Sequence, residues 1–329
     1  MLKHTLISLL SLTAIAAAPA AASAADTVVA PGAEPTHMTA LRGNVVWIAG
    51  DYPRQTLMRR DADGRVAPVR GAPTRAYRSI DLGIDSSGRL VLTYLRCVRA
   101  RNCKAFSDDL AGHRTSFRRL VPRRCELIAT PSRWRNRIAY GLRCDRLRGR
   151  PNVHDSRRSG LFVRKGARPA KRLRLPKAAV RFGNDDVRWV DLRGTNVGAV
   201  ASDIFAFAFS QTVNGSRLRS TEVAGSEGET DERVAGMSLG SGRALWTLVN
   251  SSHGGDPNEA RIDRFGADGC VAGQTLTNVA ESTSEEDRFN ELTEGYVAEA
   301  MAVDGSTLYL YKPGVGIVVH EFDPSRTCP

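Results

Sequence analysis

The chain has 329 residues, of which 42% are hydrophobic and 25% charged. That is too apolar for a disordered polymer and long enough for one large domain or two small ones, while no run beyond the first residues is long and apolar enough to span a bilayer. The formal net charge of +12 conceals a partition, because residues 42–193 hold 37 Lys plus Arg against 13 Asp plus Glu, and residues 194–329 hold 9 against 20.

At the start, Lys3 and His4 precede an alanine-rich apolar run that ends in the small-x-small site Ala22-Ser23-Ala24. This is the layout of a secretory signal peptide over residues 1–24, and it predicts cleavage after Ala24 and a secreted or extracytoplasmic protein. No cysteine follows the site to accept lipid and no twin arginine precedes the run, so general secretion with release is the simplest route. A short N-terminal segment, 25–35, comes next, and residues 36–329 form the expected single domain.

Within that domain one motif recurs: a short strand, a tight turn that usually holds Gly, and a second, apolar strand. In chain order it reads MTALRGNVVWIA (38–49), LGIDSSGRLVLTY (82–94), ELIATPSRWRNRIAY (126–140, with a longer turn lacking Gly), WVDLRGTNVGAVA (189–201), MSLGSGRALWTLV (237–249) and MAVDGSTLYLY (301–311). A further hairpin follows in TLMRRDADGRVAPV (56–69), LFVRKGARPAKRLRL (161–175), FAFSQTVNGSRLRSTEV (207–223) and ARIDRFGADGCVAGQTL (260–276). KAFSDDLAGHRTSFRRLV and IVVHEFDPSRTC complete the series more loosely. Asp-Gly and Asn-Gly supply the positive backbone φ that such turns need. Two hairpins in each of six repeats predict about 24 strands. Helical periodicity is confined to TSEEDRFNELTEG (283–295), with a capping-box start at Ser284 and Gly295 to end it. RLRGRPNVHDSRRSG (146–160) reads as a basic loop.

Six cysteines suit disulfides in an exported chain, and Cys-x-x-Cys metal spacing is absent. A hairpin turning at Arg133 to Arg135 places Cys125 opposite Cys144, and Cys97 with Cys103 closes a short loop. Cys270 and Cys328 are then left to each other by elimination.

A lone four-stranded antiparallel sheet cannot cover both its faces, whereas sheets packed radially cover one another and leave only short edges. The expected fold class is therefore all-β, a β-propeller of six four-stranded blades, with five or seven as alternatives. Closure is expected either from the segment DTVVAP, added as an outer strand of the last blade, or from Cys270–Cys328. On these repeats the chain resembles the secreted bacterial six-bladed β-propellers with NHL-like or related repeats, over roughly residues 36–328, and the resemblance implies the same ring architecture.

Residues 236–240, GMSLG, match the spacing of a hydrolase nucleophile elbow, and Asp256 and His320 follow in triad order. An elbow requires a helix behind the serine. Here an apolar strand follows, and Ser238 aligns with Thr39 and Ala302 in the first strands of other repeats. Asp85, Asp191 and Asp304 flank first turns, where Asp commonly caps its own turn; converging carboxylates are the Ca²⁺-binding alternative. FSDDLAGHRTSF (106–117) approximates the Asp box of sialidase blades with Gly112 one residue late. The histidines lack metal-ligand spacing.

The reading that follows is a non-enzymatic binding module that recognises a protein, glycan or anionic cell-envelope ligand through loops at one end of the ring and a basic surface on the second to fourth blades. The expected contacts are Arg118, Arg119, Arg123, Arg124, Arg172 and Arg174, with His253 and Asp256 in the polar loop HGGDPNE. The same arginines also serve as charge that guards edge strands from aggregation. No catalytic residue, metal or cofactor is assigned. Nucleic acid is not an expected partner, because the basic stretches lack stacking aromatics and the chain is exported. Membrane insertion is not expected, and oligomeric state is left open. The alternatives are an extracellular hydrolase or lyase acting on a polysaccharide or other polymer at the channel mouth, and a scaffold whose oppositely charged halves associate head to tail.

Overall fold

The structure is a computed structural model that describes residues 26–97, 103–117, 120–144, 155–181, 186–202, 205–227, 230–253, 256–266, 270–277, 298, 300–323 and 325–327. Strand β1 spans Thr27–Pro31. Four strands follow, β2 (Pro35–Leu41), β3 (Asn44–Ala49), β4 (Thr56–Arg60) and β5 (Val66–Pro68), paired in that order as one antiparallel module. The second module is β6 (Tyr77–Ile84), β7 (Leu90–Cys97), β8 (Cys103–Asp108) and β9 (Arg114–Ser116). In the third, β10 (Cys125–Leu127) and β11 (Ser132–Trp134) both pair with β12 (Arg137–Cys144), followed by β13 (Gly160–Lys165) and β14 (Lys171–Arg172). A five-residue helix, α1 (Lys177–Arg181), leads to the fourth: β15 (Val187–Arg193), β16 (Asn196–Ser202), β17 (Ala206–Thr212) and β18 (Arg219–Ala224).

The fifth module begins with a short edge strand β19 (Ser226–Glu227) on β20 (Thr230–Leu239), and continues through β21 (Leu245–His253), β22 (Asp256–Phe265) and β23 (Val271–Thr277). The sixth has β24 (Ala300–Asp304), β25 (Thr307–Lys312) and β26 (Gly316–His320). Its fourth strand is β1, antiparallel to β26. The last strand, β27 (Ser325–Thr327), pairs with β23 of the fifth module. IVVHEFDPSRTC is thus not a hairpin: its halves join different modules, because β1 already occupies the edge of β26.

Hydrophobic clusters lie between modules rather than within them. Val46, Ile48 and Leu57 of the first pack on Ile80, Leu82 and Leu92 of the second. Ala206 and Val223 of the fourth meet Met237 and Leu245 of the fifth. Trp47 and Met38 of the first meet Tyr309 and Ile317 of the sixth, which closes the circle. This is an all-β, propeller-like arrangement in which each sheet covers its neighbour's face. The second and third modules are additionally joined by a parallel bridge, Ile84 to Trp134. Gly83 permits that approach, since a Cβ there would stand 1.8 Å from the Arg133 carbonyl oxygen.

Two disulfides fit an oxidising compartment: Cys97–Cys103, which are cross-strand partners, and Cys125–Cys144, paired directly across β10 and β12. Cys270 is also disulfide-bonded, while Cys328 lies outside the described residues, as do the expected signal peptide, the helix 283–295 and most of the loop 146–160. No helix among the described residues is long and apolar enough to cross a membrane.

Candidate functional site

All first strands run the same way, so the ring has an upper face where they begin and a lower face where they turn. Each first strand hydrogen-bonds fully along only one edge. Its other edge faces the axis, where buried N–H groups need acceptors. Thr39, Asp81, Ser132, Asp191 and Ser238 occupy equivalent positions and are all buried. Thr39 Oγ1 accepts the N–H of Leu82 at 3.0 Å, Ser132 Oγ accepts that of Leu192 at 2.7 Å, and Asp191 Oδ2 accepts that of Leu239 at 2.8 Å. Asp81 accepts from Arg133. Each acceptor therefore satisfies the backbone of the next module in chain order. Ser238 instead donates at 3.4 Å towards the Val303 carbonyl and Asp191.

Ser238 is thereby excluded as an elbow nucleophile. It sits within β20, and behind Gly240 come a single 3-10 turn, Ser241–Arg243, and then β21, with no helix to lift the hydroxyl. The resemblance of GMSLG to an elbow arises because the axial position here happens to be serine.

Arg193 is the cation of this ring. Its Nε lies 3.0 Å from Asp191 Oδ1, it donates to the Ala40 carbonyl at 3.2 Å, and it lies over the Trp134 ring at 5.8 Å. Burial, followed by the nearby Asp191 charge, pushes Asp81 well above the usual carboxylate range. The cavity among these groups measures about 20 Å³, which has room for a single water. Towards the upper face His37 stacks on Trp189, with centroids 4.8 Å apart, and its removal from water lowers its pKa to about 4.

The turn aspartates divide. Asp85 caps its own turn through the N–H groups of Ser87 and Arg89; hydrogen bonding, from the Ser87 hydroxyl first, brings it down to about 2. Asp191 and Asp304 reach other modules, Asp304 accepting the N–H of Gly43 at 2.5 Å. Asp109 in the Asp-box-like turn accepts the N–H groups of Ala111 and His113.

At the upper edge of the third module Arg123, Arg124, Arg158 and Arg172 are exposed. Arg158 donates to the Arg123 carbonyl at 3.1 Å and Arg172 to that of Ser156 at 2.6 Å, so Arg123 and Arg172 converge on the turn 155–158. None of the four is in an ion pair among the described residues. Disulfide Cys125–Cys144 braces the strands beneath. Arg174 stands apart, its carbonyl taken by Gln211 of the fourth module. Arg118 and Arg119 lie outside the described residues. His253 and Asp256 are backbone partners at the β21–β22 hairpin tip, and their side chains are likewise not described. Sequence reasoning missed Arg158, which only the fold returns to Arg123, and it missed the axial ring, whose signal was one polar residue at a fixed place in the first strands of the first five modules, with Ala302 there in the sixth.

Between the fifth and sixth modules an open cleft of about 590 Å³ is lined by Trp246, Arg264, Ser306, His320, Glu321 and Phe322. Arg264 lies 5.6 Å over the Trp246 ring, and Phe322 meets Trp246 edge-on.

No protein-family model matches the chain, and no curated protein matches it in sequence. Among solved structures it is similar to the six-bladed lectin of Aleuria aurantia, at 11% identity and a TM-score of 0.45, covering 89% of this chain and 93% of that one. It is similar also to the SapL1 lectin in complex with α-methyl fucoside, at 12% identity and a TM-score of 0.43, covering 89% and 98%. A third is TolB from Acinetobacter baumannii, at 11% identity and a TM-score of 0.42, where the match takes in 69% of this chain and spans half of that one.

Proposed function

We propose that this protein is an extracytoplasmic binding module that recognises an anionic glycan or cell-envelope polymer through the arginine-rich upper edge of its third module. The observation that carries the reading is the group Arg123, Arg124, Arg158 and Arg172, exposed and without ion-pair partners among the described residues, in which Arg158 is bonded to the Arg123 carbonyl and Arg172 to the Ser156 carbonyl. Cations held together without counter-charge set up a positive potential that a polymer of repeated carboxylates, phosphates or sulfates neutralises. The guanidinium fork pairs with each such group through two parallel hydrogen bonds. The secretory signal read in residues 1–24 supports this, because export would bring the edge among envelope polymers.

The test is retention of the full chain on an immobilised uronate polysaccharide, compared with a neutral glucan, at low and high salt. Retention on the uronate that falls with salt, and that drops at least tenfold in the Arg123→Gln/Arg124→Gln/Arg172→Gln variant, is the expected result. Equal retention on the neutral glucan, or an unchanged triple variant, overturns the reading.

A further inference from the structure

A second cationic feature lies on the lower face, in the half of the chain where acidic residues prevail. Between the fourth and fifth modules a cleft of about 360 Å³ is lined by Arg217, Arg219 and Arg243 together with Asn196, Gln211 and Thr212. Residues 194–329 contain only nine basic side chains, and three of them line this one cleft. None of the three is in an ion pair, and no carboxylate lines the cleft, among the described residues.

The modules bring these arginines together from separate places in the chain. Arg217 comes from the turn after β17, Arg219 opens β18, and Arg243 comes from the 3-10 turn after β20. Arg219 donates to the Gly266 carbonyl at 3.4 Å, which ties its guanidinium to the fifth module. Gln211 is held by the bond that its Nε2 donates to the Arg174 carbonyl at 2.8 Å, so it shapes the wall of the cleft while the three guanidinium groups and Asn196 supply the donors. Three guanidinium groups with neutral amides and hydroxyls, in a volume suited to a small molecule, make a recognition site for a compact oxyanion.

We infer that the cleft between the fourth and fifth modules binds a phosphate or sulfate group, free or as the ester on a sugar, independently of the basic edge of the third module. The experiment is titration calorimetry of the full chain with inorganic phosphate, inorganic sulfate and glucose 6-phosphate. It uses the wild type, the Arg217→Gln/Arg243→Gln variant and the Arg123→Gln/Arg124→Gln variant. Arg217 and Arg243 are exposed, and an unchanged far-ultraviolet circular dichroism spectrum verifies that the fold survives. Saturable binding of at least one anion by the wild type, weakened tenfold or more by the first variant and unaffected by the second, is expected. Tighter binding of glucose 6-phosphate than of phosphate identifies an esterified sugar as occupant, and the reverse order a free ion; both support the site. Absence of saturable binding to all three anions, or equal affinity in wild type and Arg217→Gln/Arg243→Gln, overturns it. The polysaccharide-retention result for the third module is read separately, so either site can fail alone.

Discussion

Asp191 Oδ2 lies 2.8 Å from the backbone nitrogen of Leu239, one residue past Ser238. The contact joins the first strands of the fourth and fifth modules and belongs to a series in which one module's axial side chain satisfies the next module's backbone. Removing Asp191 with an alanine leaves a buried N–H without its acceptor and Arg193 without its nearest carboxylate, at a cost of about 3 kcal/mol or more. Ser238→Ala removes only long hydrogen bonds and is expected to cost about 1 kcal/mol. Urea denaturation of the two variants separates them; equal losses contradict the axial role of Asp191.

Asp81 predicts a pH dependence of definite sign. Its folded pKa is raised above the unfolded value, by burial first and by Asp191 second, so the folded state binds this proton more tightly than the unfolded chain. The contribution of Asp81 is fully favourable below about pH 4 and is lost as pH rises towards its elevated folded pKa. Asp81→Asn keeps an oxygen to accept the Arg133 N–H and removes the titration. It is expected to stabilise the protein at neutral pH by about 1 kcal/mol or more and to have little effect at pH 4. Melting temperatures of the two proteins across this range check it.

Ring closure by β1 depends on Gly316. Its φ is 116°, and an added Cβ would stand 2.3 Å from the Ala30 carbonyl oxygen. Gly316→Ala therefore strains the backbone and pushes β1 from β26, with an expected loss of about 2 kcal/mol or more. Proteolysis after residue 31 that is faster in the variant than in wild type reports the displaced strand.

At the start of β1, Asp26 pairs with Lys312 and His320. Burial raises its pKa, but the hydrogen bonds from Lys312 and His320 and the nearby Lys312 charge together outweigh that and hold it below the usual range. A lowered folded pKa means that the contribution is present above about pH 4 and is lost as pH falls through the folded value. Wild type and Asp26→Asn are expected to converge in stability at low pH; a constant difference down to pH 2 refutes this.

The disulfide Cys125–Cys144 spans 19 residues, and chain-entropy arguments assign a loop of that length about 3 kcal/mol. The Cys125→Ser/Cys144→Ser variant is expected to lose close to that amount, and more than Cys97→Ser/Cys103→Ser, whose loop spans 6. Chemical denaturation of both variants gives the order.

Much of this molecule is local and therefore legible in the residues. The alternation of MTALRGNVVWIA and its counterparts specifies hairpins, because Gly or Asn-Gly turns between apolar strands admit few other conformations. Cys125 opposite Cys144 follows from counting along one such hairpin. The succession of hairpin modules along the chain follows from the repeats, apart from the edge strands of the last two. Other features were hidden for stated reasons. The segment after Cys125 breaks into β10 and β11 because Gly83 and the Ile84–Trp134 bridge draw Ser132–Trp134 to the second module, a contact between residues some fifty positions apart. The division of IVVHEFDPSRTC between two modules depends on β1, which is nearly 290 residues away in the chain.

What the sequence determined by itself is the unit, since each hairpin is fixed by turn chemistry and alternation within some fifteen residues. What only the tertiary structure decided is how units share an axis and where their charges meet. Arg158 joins Arg123, three arginines frame one cleft, and Ser238 becomes a minor member of a hydrogen-bonded ring. Those outcomes depend on distances between strands that are remote in sequence, and radial packing sets these distances through burial of the faces between modules.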